Sequence, residues 1–125
     1  MPLSPSPEDV VQCQLEAYNA RDLQAWVATY ADTAQQFEYP GRLLASGRAQ
    51  ITECATSRFQ ESNLHARLLQ RTVMGAMVVD HEEVTRTFPE GPGWIELLAI
   101  YEVRDGKIQS ATFAFGERRL ASMAP

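Results

Sequence analysis

Two periodicities divide the chain near residue 64. Before it, apolar residues recur at spacings of three and four; after it, apolar and β-branched residues come in long runs broken by Gly and Pro. Val11, Leu15 and Tyr18 make one helical stripe. Leu23, Trp26, Val27 and Tyr30 make a second, at i, i+3, i+4 and i+7. Ser6 is placed to cap the first helix, with Pro7 at its first position and Glu8 and Asp9 in its first turn. Asn19-Ala20-Arg21 breaks that helix, and Asp22 caps the next. Residues 34–39 read as a short strand stopped by Pro40-Gly41, and 43–45 as a further extended stretch. Ser46 is expected to cap a third helix with Ile51, Cys54, Ala55 and Phe59 on one side, closed by Glu61-Ser62-Asn63.

Four long strands come next, over 64–74, 77–88, 94–104 and 107–116. Gly75-Ala76, Pro89-Glu90-Gly91-Pro92-Gly93 and Asp105-Gly106 divide them. Asp-Gly between two β-rich runs signals a type I′ hairpin, and strands joined by such short turns are antiparallel neighbours. A two-residue loop there sets Val103 opposite Ile108, Tyr101 opposite Ser110 and Leu97 opposite Ala114. One face then carries Ile95, Leu97, Ala99, Tyr101, Val103, Ile108 and Thr112. The other carries Trp94, Leu98, Ile100, Phe113 and Phe115, with Glu96 and Glu102. Both faces are largely apolar, so both call for cover. Three helices cover one. A second copy of the chain is the economical cover for the other.

Composition adds exclusions. The chain has 125 residues, a hydrophobic fraction of 45% and a net charge of −5. That is one domain, able to bury a core without staples. The expected division is a disordered segment over 1–6, a single domain over 7–120 and a tail over 121–125. No basic cluster longer than Arg118-Arg119 occurs, so nucleic acid and anionic membrane are disfavoured as partners. Residues 1–7 lack the basic and apolar regions of a signal peptide, and no apolar run is long enough to span a bilayer; a cytoplasmic protein is expected. Cys13 and Cys54 read as buried free thiols.

The order of elements resembles the nuclear transport factor 2-like superfamily, and within it ketosteroid isomerases and SnoaL-like polyketide cyclases. Tyr18-Asn19-Ala20-Arg21-Asp22-Leu23, Tyr30-Ala31-Asp32, Phe37-Glu38-Tyr39-Pro40 and Ser46-Gly47-Arg48 carry the resemblance in the first half. Val79-Asp80-His81-Glu82, the run from Ala99 to Ile108, and Phe115-Gly116-Glu117 carry it in the second. The resemblance implies an α+β, cystatin-like cone: three N-terminal helices packed on a strongly curved antiparallel sheet that encloses an apolar cavity. It also implies dimerisation through the outer sheet face. The isomerase chemistry of this family needs a general base, a tyrosine donor and a protonated acid. The base position falls at Glu38 or Tyr39, the tyrosine position at Gln14 and the acid position at Ile100. Isoleucine donates no hydrogen bond and glutamine donates weakly, so steroid isomerase activity is not expected.

Glu38, Tyr39 and His81 are the candidate catalytic residues. Glu38 and Tyr39 are adjacent on a strand, so one of the two can face inward. An inward carboxylate would have a raised pKa and could act as a base. Asp80 and Glu82 share a face and His81 takes the other. His81 enters the cavity beside Ile100 if the Pro89–Pro92 loop spans four residues, and lies outside with Tyr101 if it spans five. The Gly75-Ala76 turn sets Arg71 opposite Asp80. Gln14, Trp26, Phe59, Trp94, Glu96, Leu98, Ile100, Phe113 and Phe115 are the expected ligand-binding wall. No GxGxxG, P-loop or GxSxG motif and no metal-ligand spacing occurs, so no cofactor and no metal is expected. These features point to a homodimer that binds a small apolar or amphipathic molecule, as an isomerase, cyclase or lyase working by proton transfer. A non-catalytic ligand-binding or protein-interaction module is the alternative.

Overall fold

The structure is a computed structural model that describes residues 5–123. Residues 1–4 of the expected N-terminal segment and 124–125 of the expected tail lie outside it. Helix α1 spans Pro7–Asn19 and α2 spans Leu23–Ala28. Both caps are as expected: Ser6 Oγ accepts from Asp9 N, and Asp22 Oδ1 from Ala25 N. Strand β1 spans Tyr30–Glu38 and β2 spans Arg42–Ser46. β1 starts four residues before the expected strand, because Tyr30 leaves the second helical stripe to become the first residue of the sheet. Helix α3 spans Arg48–Ala55, followed by a 3₁₀ turn over Arg58–Gln60 that carries Phe59.

Ser46 does not cap α3. It ends β2, and Gly47 takes the cap position at φ +86°, a conformation that favours glycine. Gln50 Oε1 reaches back to accept from Ser46 N instead. The cysteines are free, but both are exposed rather than buried.

The remaining strands are β3 (His65–Met74), β4 (Met77–Phe88), β5 (Gly91–Arg104) and β6 (Lys107–Leu120). All six make one sheet in the order β2-β1-β6-β5-β4-β3. β1 joins β6 in parallel, and the other neighbours are antiparallel. Asp105 and Gly106 both take positive φ, as a type I′ turn requires. Gly93 lets β5 and β6 run close: a Cβ there would sit 2.1 Å from the Arg119 carbonyl oxygen.

The expected pairing of Val103 with Ile108 is present, but a bulge beside it shifts the register over the rest of the two strands. Tyr101 pairs with Ala111, Ala99 with Phe113 and Leu97 with Phe115. Phe113 and Phe115 therefore share the face of Leu97 and Tyr101, and Thr112 moves to the opposite face with Ile100. The helices pack on the first face. The core there holds Val11, Leu15, Trp26, Tyr30, Ile51, Val78, Ala99, Tyr101 and Ile108.

Candidate functional site

Between the helices and the inner sheet face lies a cavity of about 210 Å³. α1 contributes Gln14, Leu15 and Tyr18, and α2 contributes Trp26. The inner face of the sheet contributes Gln36, Glu82, Val84, Leu97, Tyr101 and Phe113. Arg58 enters from the 3₁₀ turn, and the exposed side chains Cys54 and Phe115 stand at the open side.

Glu82 is the carboxylate in this wall. The 12 residues of β4 alternate, so Val78, Asp80, Glu82 and Val84 all turn inward, toward the helices. Asp80 is wholly buried and paired: Arg71 Nε donates to its Oδ1 at 2.7 Å and Nη2 to its Oδ2 at 2.9 Å. Arg71 Nη1 also donates to Gln12 Oε1 at 2.9 Å, tying the pair to α1. Glu82, two residues on, is 5% exposed, and its Oε2 is sealed from solvent with no hydrogen-bond partner among the described residues. Loss of hydration pushes its pKa up to about 8, with the Asp80 charge adding to the rise and Arg71 opposing it. Near neutral pH Glu82 is therefore a neutral acid that can give its proton and, having done so, take one back.

The hydroxyls around it hold their protons. Burial raises Tyr18 to about 12 and raises Tyr101 well above the ordinary tyrosine value, the Glu82 charge contributing to both. Gln14 is oriented rather than free: Trp26 Nε1 donates to its Oε1 at 2.8 Å, and its Nε2 donates to Val11 O at 3.4 Å. Gln36 Nε2 donates to the Tyr30 hydroxyl at 3.2 Å.

Of the wall residues expected from sequence, Gln14, Trp26, Phe113 and Phe115 line the cavity. Phe59 packs behind it, its ring 5.1 Å from Trp26 and 5.3 Å from Tyr18. Trp94, Glu96, Leu98 and Ile100 do not reach it, because the face they share is the outer one. Trp94 and Glu96 border a polar recess there instead, with Glu83, Glu117 and Arg119.

None of the three expected catalytic side chains enters the cavity. Pro89-Glu90 is a two-residue turn, which sets His81 opposite Leu98 on the outer face, where its Nε2 bonds Glu96 Oε2. Glu38 ends β1 in register with Phe113, but reaches out to Arg42 at 3.7 Å. Tyr39 lies beyond the strand and is 64% exposed. An acid–base site in the cavity therefore does not rest on Glu38, Tyr39 or His81. Glu82 was missed because which of His81 and Glu82 faces inward hangs on the Pro89–Pro92 loop, expected at four or five residues and found as a two-residue turn. The signal that could have found it was Arg71 opposite Asp80, a charge pair on the face that also holds Val78 and Val84. Among the described residues no cluster of three His, Cys, Asp or Glu could hold a metal ion, and no helix is long and apolar enough to cross a membrane.

A family model described as a SnoaL-like domain matches residues 11–111. Among solved structures the chain is similar to an uncharacterized cystatin-fold protein from Novosphingobium aromaticivorans, at 23% identity over 88% of this chain and 98% of that one, with a TM-score of 0.80. It is similar to a putative polyketide cyclase from Sinorhizobium meliloti, at 22% identity over 84% and 93%, with a TM-score of 0.66. It is also similar to an LEH-like epoxide hydrolase from M. tuberculosis, at 16% identity over 86% and 80%, with a TM-score of 0.72. At these identities the likeness shows the fold. Comparison with curated proteins finds no match.

Proposed function

The chain belongs to the SnoaL-like domain family, within the nuclear transport factor 2-like superfamily, and from that premise we propose that it binds a small, largely apolar molecule in the helix–sheet cavity and moves a proton on it through Glu82. The reaction class is isomerase, cyclase or lyase, run without a cofactor. The observation that carries this is Glu82 itself: the one carboxylic acid lining the cavity, neutral near pH 7, its Oε2 buried without a hydrogen-bond partner among the described residues. Protonated Glu82 delivers its proton to one atom of the bound molecule. As carboxylate it accepts a proton from another, which returns the protein to its starting state. Tyr18 and Tyr101 remain hydroxyl donors throughout. The cavity suits a molecule of one ring with small substituents, since a cavity of about 150 Å³ admits benzene. Among the similar structures, one is named a putative polyketide cyclase and one an LEH-like epoxide hydrolase, which supports an organic substrate.

We also propose a homodimer through the outer sheet face. Phe37, Val79, Ile100 and Thr112 lie in one row across it, with Leu98 and Ala114 beside them, and Leu98 is 41% exposed. This is apolar surface of the kind that a partner covers.

Elimination of 5-nitrobenzisoxazole to its cyanophenolate tests the proton transfer, because it needs only a base in an apolar site. Wild-type protein accelerates it with a pH profile inflecting near 8, and Glu82→Gln loses the acceleration. Equal rates for wild type and Glu82→Gln overturn the reading and leave a non-catalytic binding module.

A further inference from the structure

We infer that the cavity takes an organic anion: a small acid whose carboxylate is held by the Arg58 guanidinium while its apolar part lies among Trp26, Phe113 and Phe115. This rests on the cavity being the binding site, as proposed above, and adds the class of ligand.

Arg58 is half-buried, and no side-chain or backbone acceptor among the described residues meets its Nε, which is sealed from solvent. It makes no ion pair among them either, although Arg48, Arg67, Arg71 and Arg86 each hold a carboxylate. Glu61, three residues on, is the nearest acid in sequence, and it is already engaged. Arg86 Nη2 donates to one of its oxygens at 2.7 Å and Thr87 N to the other at 2.9 Å. A sealed N–H of a charged group left without an acceptor is costly, so an acceptor from outside the chain is expected at that Nε.

Charge points the same way. In the cavity wall and the network behind it, Asp80 and Arg71 cancel, and Glu82 is neutral near pH 7. Glu61 feels the Arg58 charge but is itself paired with Arg86, which leaves one net positive charge at Arg58, on a chain whose net charge is −5. A guanidinium offers a planar fork that matches a carboxylate, and in apolar surroundings such a contact is stronger than in water. The charges that act on Glu82 are Asp80 and Arg71 rather than Arg58. An acid anchored at Arg58 therefore leaves Glu82 for a different part of the same molecule.

Benzoate and benzamide, titrated calorimetrically into the full chain at pH 7, test this directly. They share a ring and differ in charge. Wild type is expected to bind benzoate at least tenfold more tightly than benzamide. Arg58→Gln brings the two within threefold, and Arg67→Gln, which removes an exposed arginine outside the cavity, keeps the benzoate preference. Should Arg58→Gln fail to fold, 1 M chloride on wild type serves instead, weakening benzoate and leaving benzamide unchanged. Equal binding of the two probes by wild type, binding of neither, a preference that survives Arg58→Gln, or benzoate binding that chloride does not weaken overturns the inference. Loss of elimination in Glu82→Gln with no anion preference overturns the ligand class alone. An anion preference with elimination independent of Glu82 overturns the proton transfer alone.

Discussion

Asp80 and Glu82 stand two residues apart on β4 and turn to the same buried face, yet Arg71 serves Asp80 alone. Arg71 crosses from β3 and takes both Asp80 oxygens. The carboxyl it leaves out is the one that lines the cavity. A structural ion pair and a reactive acid are thus built from one alternating strand, and they differ only in which has a cation across the ladder.

Breaking the pair separates these roles. Arg71→Met leaves the Asp80 carboxylate buried and alone, at a cost of about 3–5 kcal/mol. Arg71→Met with Asp80→Asn removes both charges and recovers most of that. Urea denaturation at pH 7 measures both, and a loss below about 1 kcal/mol in the single variant contradicts the pairing. The Glu82 acidity shifts as well: Arg71→Met raises its pKa and Asp80→Asn lowers it, because Arg71 opposes the rise and Asp80 adds to it.

Stability falls as pH rises through the range set by Glu82. Its folded pKa, about 8, lies above the ordinary value of 4.5, so the folded chain holds more protons than the unfolded chain between those limits. The loss begins above about pH 4.5, grows with pH and levels off above about pH 8. Over the full range it is on the order of 5 kcal/mol, at about 1.4 kcal/mol per pKa unit. Denaturation midpoints at pH 5 and pH 9 measure it. Glu82→Gln removes this slope, and an unchanged slope in that variant assigns it elsewhere.

The helices and strands were legible because each is marked twice, by its period and by its stop. The Val11, Leu15 and Tyr18 stripe ends at Asn19, and β5 passes to β6 through Asp105-Gly106. The short turn at Gly75-Ala76 likewise gave the pairing of Arg71 with Asp80. The cavity wall was not legible, for two reasons. The bulge beside Val103 adds a residue that no turn signal announces, and it carries Phe113 and Phe115 to the inner face. The second reason is that Leu97-Leu98-Ala99-Ile100-Tyr101 is apolar throughout, so alternation does not say which side meets the helices. Once that side is the one of Leu97 and Tyr101, the register puts Glu82 inside and His81 outside.

Gln14 and Trp26 form a second test of the wall. Gln14→Leu removes the acceptor of the buried indole N–H and costs about 1–3 kcal/mol. Thermal denaturation and the Trp26 fluorescence maximum check it. Retained stability with an unshifted maximum contradicts the hydrogen bond.

Leu98→Glu places a charge in the apolar outer face without touching the cavity. Sedimentation velocity is expected to show a wild-type dimer and a Leu98→Glu monomer, each with the same helix and strand content by circular dichroism. A wild-type monomer at all concentrations contradicts the proposed interface.

The proposed chemistry depends above all on Glu82 being a neutral acid in the cavity wall at neutral pH. Carbon-13 NMR of the glutamate side-chain carboxyls, with the Glu82 resonance assigned by its loss in Glu82→Gln, measures this directly. The Glu82 carboxyl is expected to be protonated at pH 7 and to titrate near pH 8. Titration near pH 4.5, the ordinary glutamate value, contradicts it.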